Sequence, residues 1–193
     1  ALRLQVDSAT MGHASAATVL PVLDRQIGRM EGIVESLLSL SRLSEPDPTP
    51  RPLQRIVDDL LNTVPAASRE RMLVTDRTPP DVMVTHGPLL LRAMGNLVDN
   101  ALTHGSGDVA LTLSIRDERL EASVVDEGPG VPEAELHRLT EPFVRLGPEE
   151  SGLGLGLSLV SLIARSLDGT VRLRNTGTGM AAVLVLPIVV IEP

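Results

Sequence analysis

The sequence predicts an α+β protein: a two-layer α/β sandwich, with helices on one face of a mixed sheet, preceded by a helical segment. Three observations lead there. Apolar residues in the first third recur at alternating spacings of three and four, as they do in helices that need a partner. Four prolines then fall within residues 46–52 and forbid a regular helix. Beyond them, short runs of alternating apolar and polar residues trade places with amphipathic helical stretches.

The elements follow in chain order. Leu20, Leu23, Ile27, Met30, Val34 and Leu37 form an a/d stripe, and Leu2, Val6 and Ala9 repeat its spacing on a shorter segment. Between them, residues 11–18 hold Gly12 and small or polar side chains, as a hairpin connection would. Two helices bury little by themselves, so the stripe is completed either by a dimeric four-helix bundle or by docking on its own domain. Its regularity favours the bundle. Residues 1–45 are therefore expected to be a partial helical hairpin, 46–52 a stiff linker and 53–193 a second domain. In that domain Leu53, Ile56, Val57, Leu60, Leu61 and Val64 mark one amphipathic helix. Residues 72–75 and 82–85 are short strand candidates. Residues 88–103 predict a helix with Pro88 in its first turn. Residues 109–116 and 120–126 alternate like a meander that turns near Asp117-Glu118. A second long helix is expected over 155–167. Strands over 171–174 and 182–186, joined across Gly177-Thr178-Gly179, close the domain.

Composition removes whole classes of function. The chain has 193 residues, a net charge of −8 and no Cys, which excludes thiol nucleophiles, disulfides and Cys-ligated zinc. Phe143 is the single aromatic residue, so there is no stacking platform for single-stranded nucleic acid. No Lys occurs, so all 17 basic residues are Arg. A Walker A loop, a Schiff-base enzyme and the lysine-dependent protein-kinase fold are thereby excluded. The acidic balance argues against nucleic acid as a partner. The first residues lack the apolar core of a signal peptide. The apolar run 181–191 is too short to span a bilayer and contains Pro187. A start at Ala1 rather than Met is expected of a fragment or processed piece, with room upstream for a membrane segment.

Three polar constellations carry the chemistry. On the helix from Pro88, Arg92, Asn96, Asn100 and His104 lie four residues apart, in a stripe separate from the apolar face. Asn amide oxygens ligate hard cations and their NH2 groups donate to phosphate, although Asn pairs are also ordinary on helix surfaces. At the end of a strand, Asp126-Glu127-Gly128-Pro129-Gly130 offers a carboxylate able to accept an exocyclic N–H, and glycines that allow a flat ligand close to the backbone. By itself this is also an ordinary turn. Entering the last helix, Gly152-Leu153-Gly154-Leu155-Gly156-Leu157 frees backbone N–H groups to meet anionic oxygens. A Rossmann fingerprint fits poorly, because no hydrophobic strand directly precedes these glycines. Between the last two, Glu141-Pro142-Phe143-Val144-Arg145 and the polar residues up to Glu150 suit a mobile flap. The alternative is a plain surface loop with Phe143 as a core anchor.

Together and in this order, the elements resemble the nucleotide-binding domain of bacterial sensor histidine kinases, in the superfamily shared with gyrase-type ATPases, Hsp90 and MutL. Asn96-Leu97-Val98-Asp99-Asn100-Ala101 is similar to the N box and Asp126-Glu127-Gly128-Pro129-Gly130 to the G1 box. The stretch around Phe143 is similar to the F box, and 152–157 to the G2 box. The resemblance covers 53–187, and the N-terminal helices resemble part of the family's dimerisation and phosphotransfer hairpin. It implies ATP and Mg2+ as cofactors. Asn96 would help hold Mg2+, and Asn100 would contact phosphate or the metal's water shell. Asp126 would read the adenine amino group, with Gly128 and Gly130 beside the base and His104 lining the site. Gly152, Leu153, Gly154, Leu155, Gly156 and Leu157 would cradle phosphates under a lid near 146–151. Arg145, together with Arg92, would supply positive charge. It further implies ATP and ADP binding, a homodimer through the N-terminal helices, a response regulator as partner, and a cytoplasmic location as part of a membrane-bound sensor.

The chain also departs from the family. The H-E-x-x-x-P phosphoacceptor motif is absent, and His13, His86 and His137 do not replace it. No catalytic residue is therefore assigned here, and phosphoryl transfer would go to a histidine outside this sequence, including one on a histidine-bearing partner chain. Thr103 stands where the family has a basic residue, and Met180 and Ala182 stand where it has Thr and Phe. These changes bear on nucleotide affinity rather than fold. The alternatives to a kinase are a catalytically silent nucleotide-binding module, or one half of a split kinase acting in trans.

Overall fold

Pro52 starts the first helix of the fold and Pro65 follows its end. In the computed structural model, which describes residues 49–144 and 154–187, helix α1 spans Leu53–Thr63. Leu53, Ile56, Val57 and Leu60 are its buried stripe. Val64, forced towards extended geometry by the proline after it, closes the helix at φ −72°, ψ 127°. A short helix α2 (Ala66–Arg69) follows. Strand β1 (Arg51–Pro52) precedes α1 and pairs antiparallel with β3 (Met83–Val84). The chain thus enters the fold at Arg51, within the stretch expected to be linker, and the strand expected over 82–85 keeps only its central pair. Helix α3 (Gly87–His104) begins with Pro at its first turn and buries Leu90, Ala93, Met94, Leu97, Val98 and Ala101. Helix α4 (Gly156–Ser166) buries Leu157, Leu159, Val160, Ile163 and Ala164. It is closed by Gly169 N–H donating to Ala164 O at 2.7 Å, with Asp168 in the left-handed region.

Five strands form the main sheet: β2 (Met72–Asp76), β4 (Val109–Arg116), β5 (Arg119–Asp126), β6 (Thr170–Asn175) and β7 (Met180–Pro187), in the order β2-β4-β5-β7-β6. The β2–β4 pair is parallel and the other three are antiparallel. Period-two alternation puts Val109, Leu111 and Leu113 of β4 on the same face as Leu120, Ala122 and Val124 of β5. Across β5–β7, Ala182, Leu184 and Leu186 sit opposite Val124, Ala122 and Leu120. Helix α3 packs between α1 and α4 and against β4, β5 and β7, so the core lies between a helical layer and one face of the sheet. Each fully buried Leu of that core contributes about 1.5–3 kcal/mol. The sandwich is the α+β architecture expected from the sequence. A 3-10 segment, Glu133–Thr140, was not foreseen; it starts directly after Pro132 and buries only Leu136. The expected N-terminal hairpin (1–45) and the first linker residues lie outside the described residues.

Candidate functional site

The alternation that buries three apolar residues of β5 also buries its last residue, Asp126, which is 5% exposed. A carboxylate there needs compensation. Its Oδ1 accepts the Met180 backbone N–H at 3.2 Å. Burial raises the pKa of this carboxyl above the usual Asp value, while the Met180 N–H and the charge of His104 at the end of α3 act against the rise. Among the described residues no other hydrogen bond reaches it.

The β6–β7 hairpin holds this strand end. A Cβ on Gly179 would lie 2.0 Å from the Asp126 carbonyl oxygen, so only glycine permits the approach. Gly128 N–H donates to Thr178 O at 3.0 Å. Asn175, the last residue of β6, grips the next part of the loop from both sides. Its Oδ1 accepts from Val131 N–H at 3.0 Å and its Nδ2 donates to Val131 O at 2.7 Å. The same Nδ2 reaches Glu133 Oε2 at 3.1 Å. Sequence reasoning missed Asn175 and the Met180 N–H. An amide side chain at a strand end, just before a Gly-Thr-Gly turn, was the available signal for the first.

On α3 the polar stripe runs beside these loops. Asn96 Nδ2 donates to Arg92 O at 2.8 Å, which fixes the amide and leaves its oxygen as acceptor. A Cβ on Gly156 would sit 3.4 Å from that oxygen, so Asn96 faces the start of α4. Asn100 is half-buried and His104 exposed. Gly154, at φ 67°, accepts the Phe143 N–H at 2.9 Å through its carbonyl. The glycine-rich segment is thereby tied to the segment around Phe143. Phe143 is not the core anchor expected as one alternative: it is 50% exposed, at φ 66°. Leu155 precedes α4 as its half-buried N-cap residue, and Leu157 is buried in the core, so Leu157 offers a ligand only its backbone. The first turn of α4 has no acidic residue, which leaves its N-terminus favourable to anions. Arg145, Gly152, Leu153 and the expected lid at 146–151 lie outside the described residues.

The departures at the last hairpin are absorbed by the fold. Met180 serves Asp126 through its backbone while its side chain is buried, and Ala182 packs in register with Val124.

The structure thus brings Asp126, Gly128 and His104 to one end of α3, and Asn96 and Gly156 together near its middle. A two-layer sandwich whose strand-end and helix-start glycines gather along one helix is the class these features define. Residues 85–189 match the histidine kinase-, DNA gyrase B- and HSP90-like ATPase family, and the chain belongs to that family. Its relatives include the sensor protein CreC of Escherichia coli, 37% identical over 170 residues that make up 80% of this chain and 34% of CreC. The sensor protein RstB of the same organism is 32% identical over 183 residues, 89% of this chain and 42% of RstB. The chain therefore spans between a third and under half of these relatives' length. Among solved structures, the mycobacterial sensor histidine kinase MprB superposes with a TM-score of 0.62 at 26% identity, over 74% of this chain and 99% of that one. No helix among the described residues is long and apolar enough to cross a membrane.

Proposed function

We propose that this chain is the ATP-binding catalytic portion of a two-component sensor histidine kinase. It transfers the γ-phosphoryl group of ATP to a histidine outside this sequence, for relay to a response regulator. The observation that carries the proposal is Asp126: a buried carboxylate at a strand end, held by a backbone N–H and flanked by glycines. It recognises the adenine amino group, and the carboxylate form is the one that accepts that hydrogen bond. Gly128 and Gly130 admit the base, and His104 lines the same end of α3. Asn100, the backbone of 152–157 and Arg145 bind the phosphates.

The donor set suits Mg2+ carried in with the nucleotide. Among the described residues there is no cluster of three carboxylate or histidine side chains that would make a dedicated cage. Mg2+ commonly keeps waters and substrate phosphates and takes few protein ligands. Asn96, with its NH2 committed to Arg92 O, presents the oxygen that would hold it. When bound, the ion supplies neutralisation of phosphate charge in a protein without lysine. The chain's own residues position and orient the nucleotide, which is most of what phosphoryl transfer requires. The N-terminal stripe serves a homodimer, and the site works in the cytoplasm, where ATP and a response regulator are available.

The test is incubation with γ-labelled ATP, alone and with a histidine-bearing hairpin from a sensor kinase. Label on the hairpin's histidine and none on this chain is the expected result. Nucleotide binding with label on neither would make the chain a binding module instead.

A further inference from the structure

We propose that Arg71, remote in sequence from every motif described above, is a positioning residue for adenine recognition: it pins the turn formed by Gly105, Ser106 and Gly107 against the strand end that carries Asp126. This rests on the nucleotide-binding role of Asp126 proposed above.

Arg71 directly precedes β2, and its own carbonyl accepts the Val109 N–H at 2.8 Å, so its backbone is anchored in the sheet. Its half-buried guanidinium donates to three backbone carbonyls at the end of α3: Nε to Gly107 O at 2.8 Å, Nη2 to Gly105 O at 2.9 Å and Nη1 to Leu102 O at 3.4 Å. Carbonyls at a helix C-terminus lack partners within the helix and carry partial negative charge, so a planar cation with several donors suits them. Among the described residues no carboxylate competes for this guanidinium.

The turn so held lies directly on the Asp126 strand end. Ser106 N–H and Oγ donate to Glu127 O at 2.6 and 3.0 Å, and Gly107 N–H reaches the same oxygen at 3.3 Å. A Cβ on Gly105 would stand 2.9 Å from Asp126 Cβ, and one on Gly128 would stand 3.2 Å from His104 O. The chain of contact runs from guanidinium to turn, from turn to the Glu127 carbonyl, and from there to the neighbouring Asp126. Loosening its first link frees the carboxylate to drift from the position in which it meets the base. Lysine is a point charge on a flexible stem and restores only part of this hold.

The experiment is calorimetry on the full chain with ADP and with inosine diphosphate, whose base lacks the amino donor. Wild type, Arg71→Ala, Arg71→Lys and Asp126→Asn are compared at a temperature where each is folded. Arg71→Ala is expected to lose about tenfold in ADP affinity with inosine diphosphate affinity unchanged, and Arg71→Lys to fall between. If Arg71→Ala does not fold, Arg71→Gln, which keeps a neutral NH2 donor group in place of the guanidinium, takes its place under the same criterion. A general loss of stability would lower the melting temperature and leave the ADP preference of the folded protein at its wild-type value; that result overturns the proposal. If Asp126→Asn abolishes the preference while the Arg71 variants keep it, only the role of Arg71 falls. If wild type shows no preference, or Asp126→Asn retains it, adenine recognition by Asp126 fails and the role of Arg71 fails with it.

Discussion

Asp126 is caught between two demands. The fold buries it among apolar neighbours, which favours its neutral form, while the proposed ligand needs its charge. Asp126→Asn keeps an oxygen for the Met180 N–H and removes the charge. ADP affinity is expected to fall about 10–100-fold, the worth of one charge-assisted hydrogen bond, and titration calorimetry measures it. Stability should move the other way. The native carboxyl binds its proton more tightly than the unfolded one, because burial raises its pKa above the ordinary 3.8. In the window between that value and the higher native one, the folded state holds more protons than the unfolded state, so stability falls as pH rises. Below the window the penalty vanishes, and above the native pKa it is complete. The Asn variant escapes it, so its advantage in urea midpoint over wild type should be largest at neutral pH and shrink as pH drops through the window. A constant advantage across that series would show that Asp126 carries no burial penalty.

At the scale of elements, the β4–β5 hairpin shows both what sequence makes legible and what it conceals. Asp117 and Glu118 both lie at positive φ, 49° and 58°, as the two central residues of a type I′ turn must. Asp tolerates this region, but Glu does so only at a cost. Glu118→Gly should therefore stabilise the protein by about 1 kcal/mol, raising Tm by about 2–4 °C in a calorimetric scan. The hairpin was readable because alternation and turn are local signals. Helices α1, α3 and α4 were readable for the same reason: apolar spacing and flanking Pro or Gly residues write them into contiguous stretches. The β1–β3 pair was not, since two residues joined to a partner some thirty positions away leave no periodic trace. Within the site, Asp126, Asn96 and the glycines could be proposed from short motifs. The grip of Asn175 on Val131 and of Arg71 on the α3 end spans 44 and 31–36 residues, and such pairings become visible only when the chain is folded. For the single aromatic, Phe143, sequence left two readings open, a flap residue or a core anchor, and its 50% exposure excludes the second.

At the scale of the whole molecule, the proposed nucleotide would touch both layers of the sandwich at once. Asp126 ends a strand of the sheet and the glycines after it lie in the loop that leaves it, while Asn96, Asn100 and the start of α4 belong to the helices. A ligand that bridges the layers binds the assembled fold and not the unfolded chain, so its binding energy adds to folding stability. At a free concentration 100 times its Kd, ADP with Mg2+ should stabilise the protein by about 2.7 kcal/mol. For a chain of this size that is a rise in Tm of about 5–10 °C. The metal separates the two halves of the site. If Asn96 holds Mg2+, Asn96→Ala should retain the shift seen with ADP in chelator and lose the increment that Mg2+ adds. Asp126→Asn should lose half or more of the ADP shift in both conditions, because the base no longer anchors the phosphates where the metal is held. Scanning calorimetry of the three proteins with ADP, with and without Mg2+, reads all of these shifts. An unchanged Mg2+ increment in Asn96→Ala would remove Asn96 from the metal site, and a full ADP shift in Asp126→Asn would remove the buried acid from recognition.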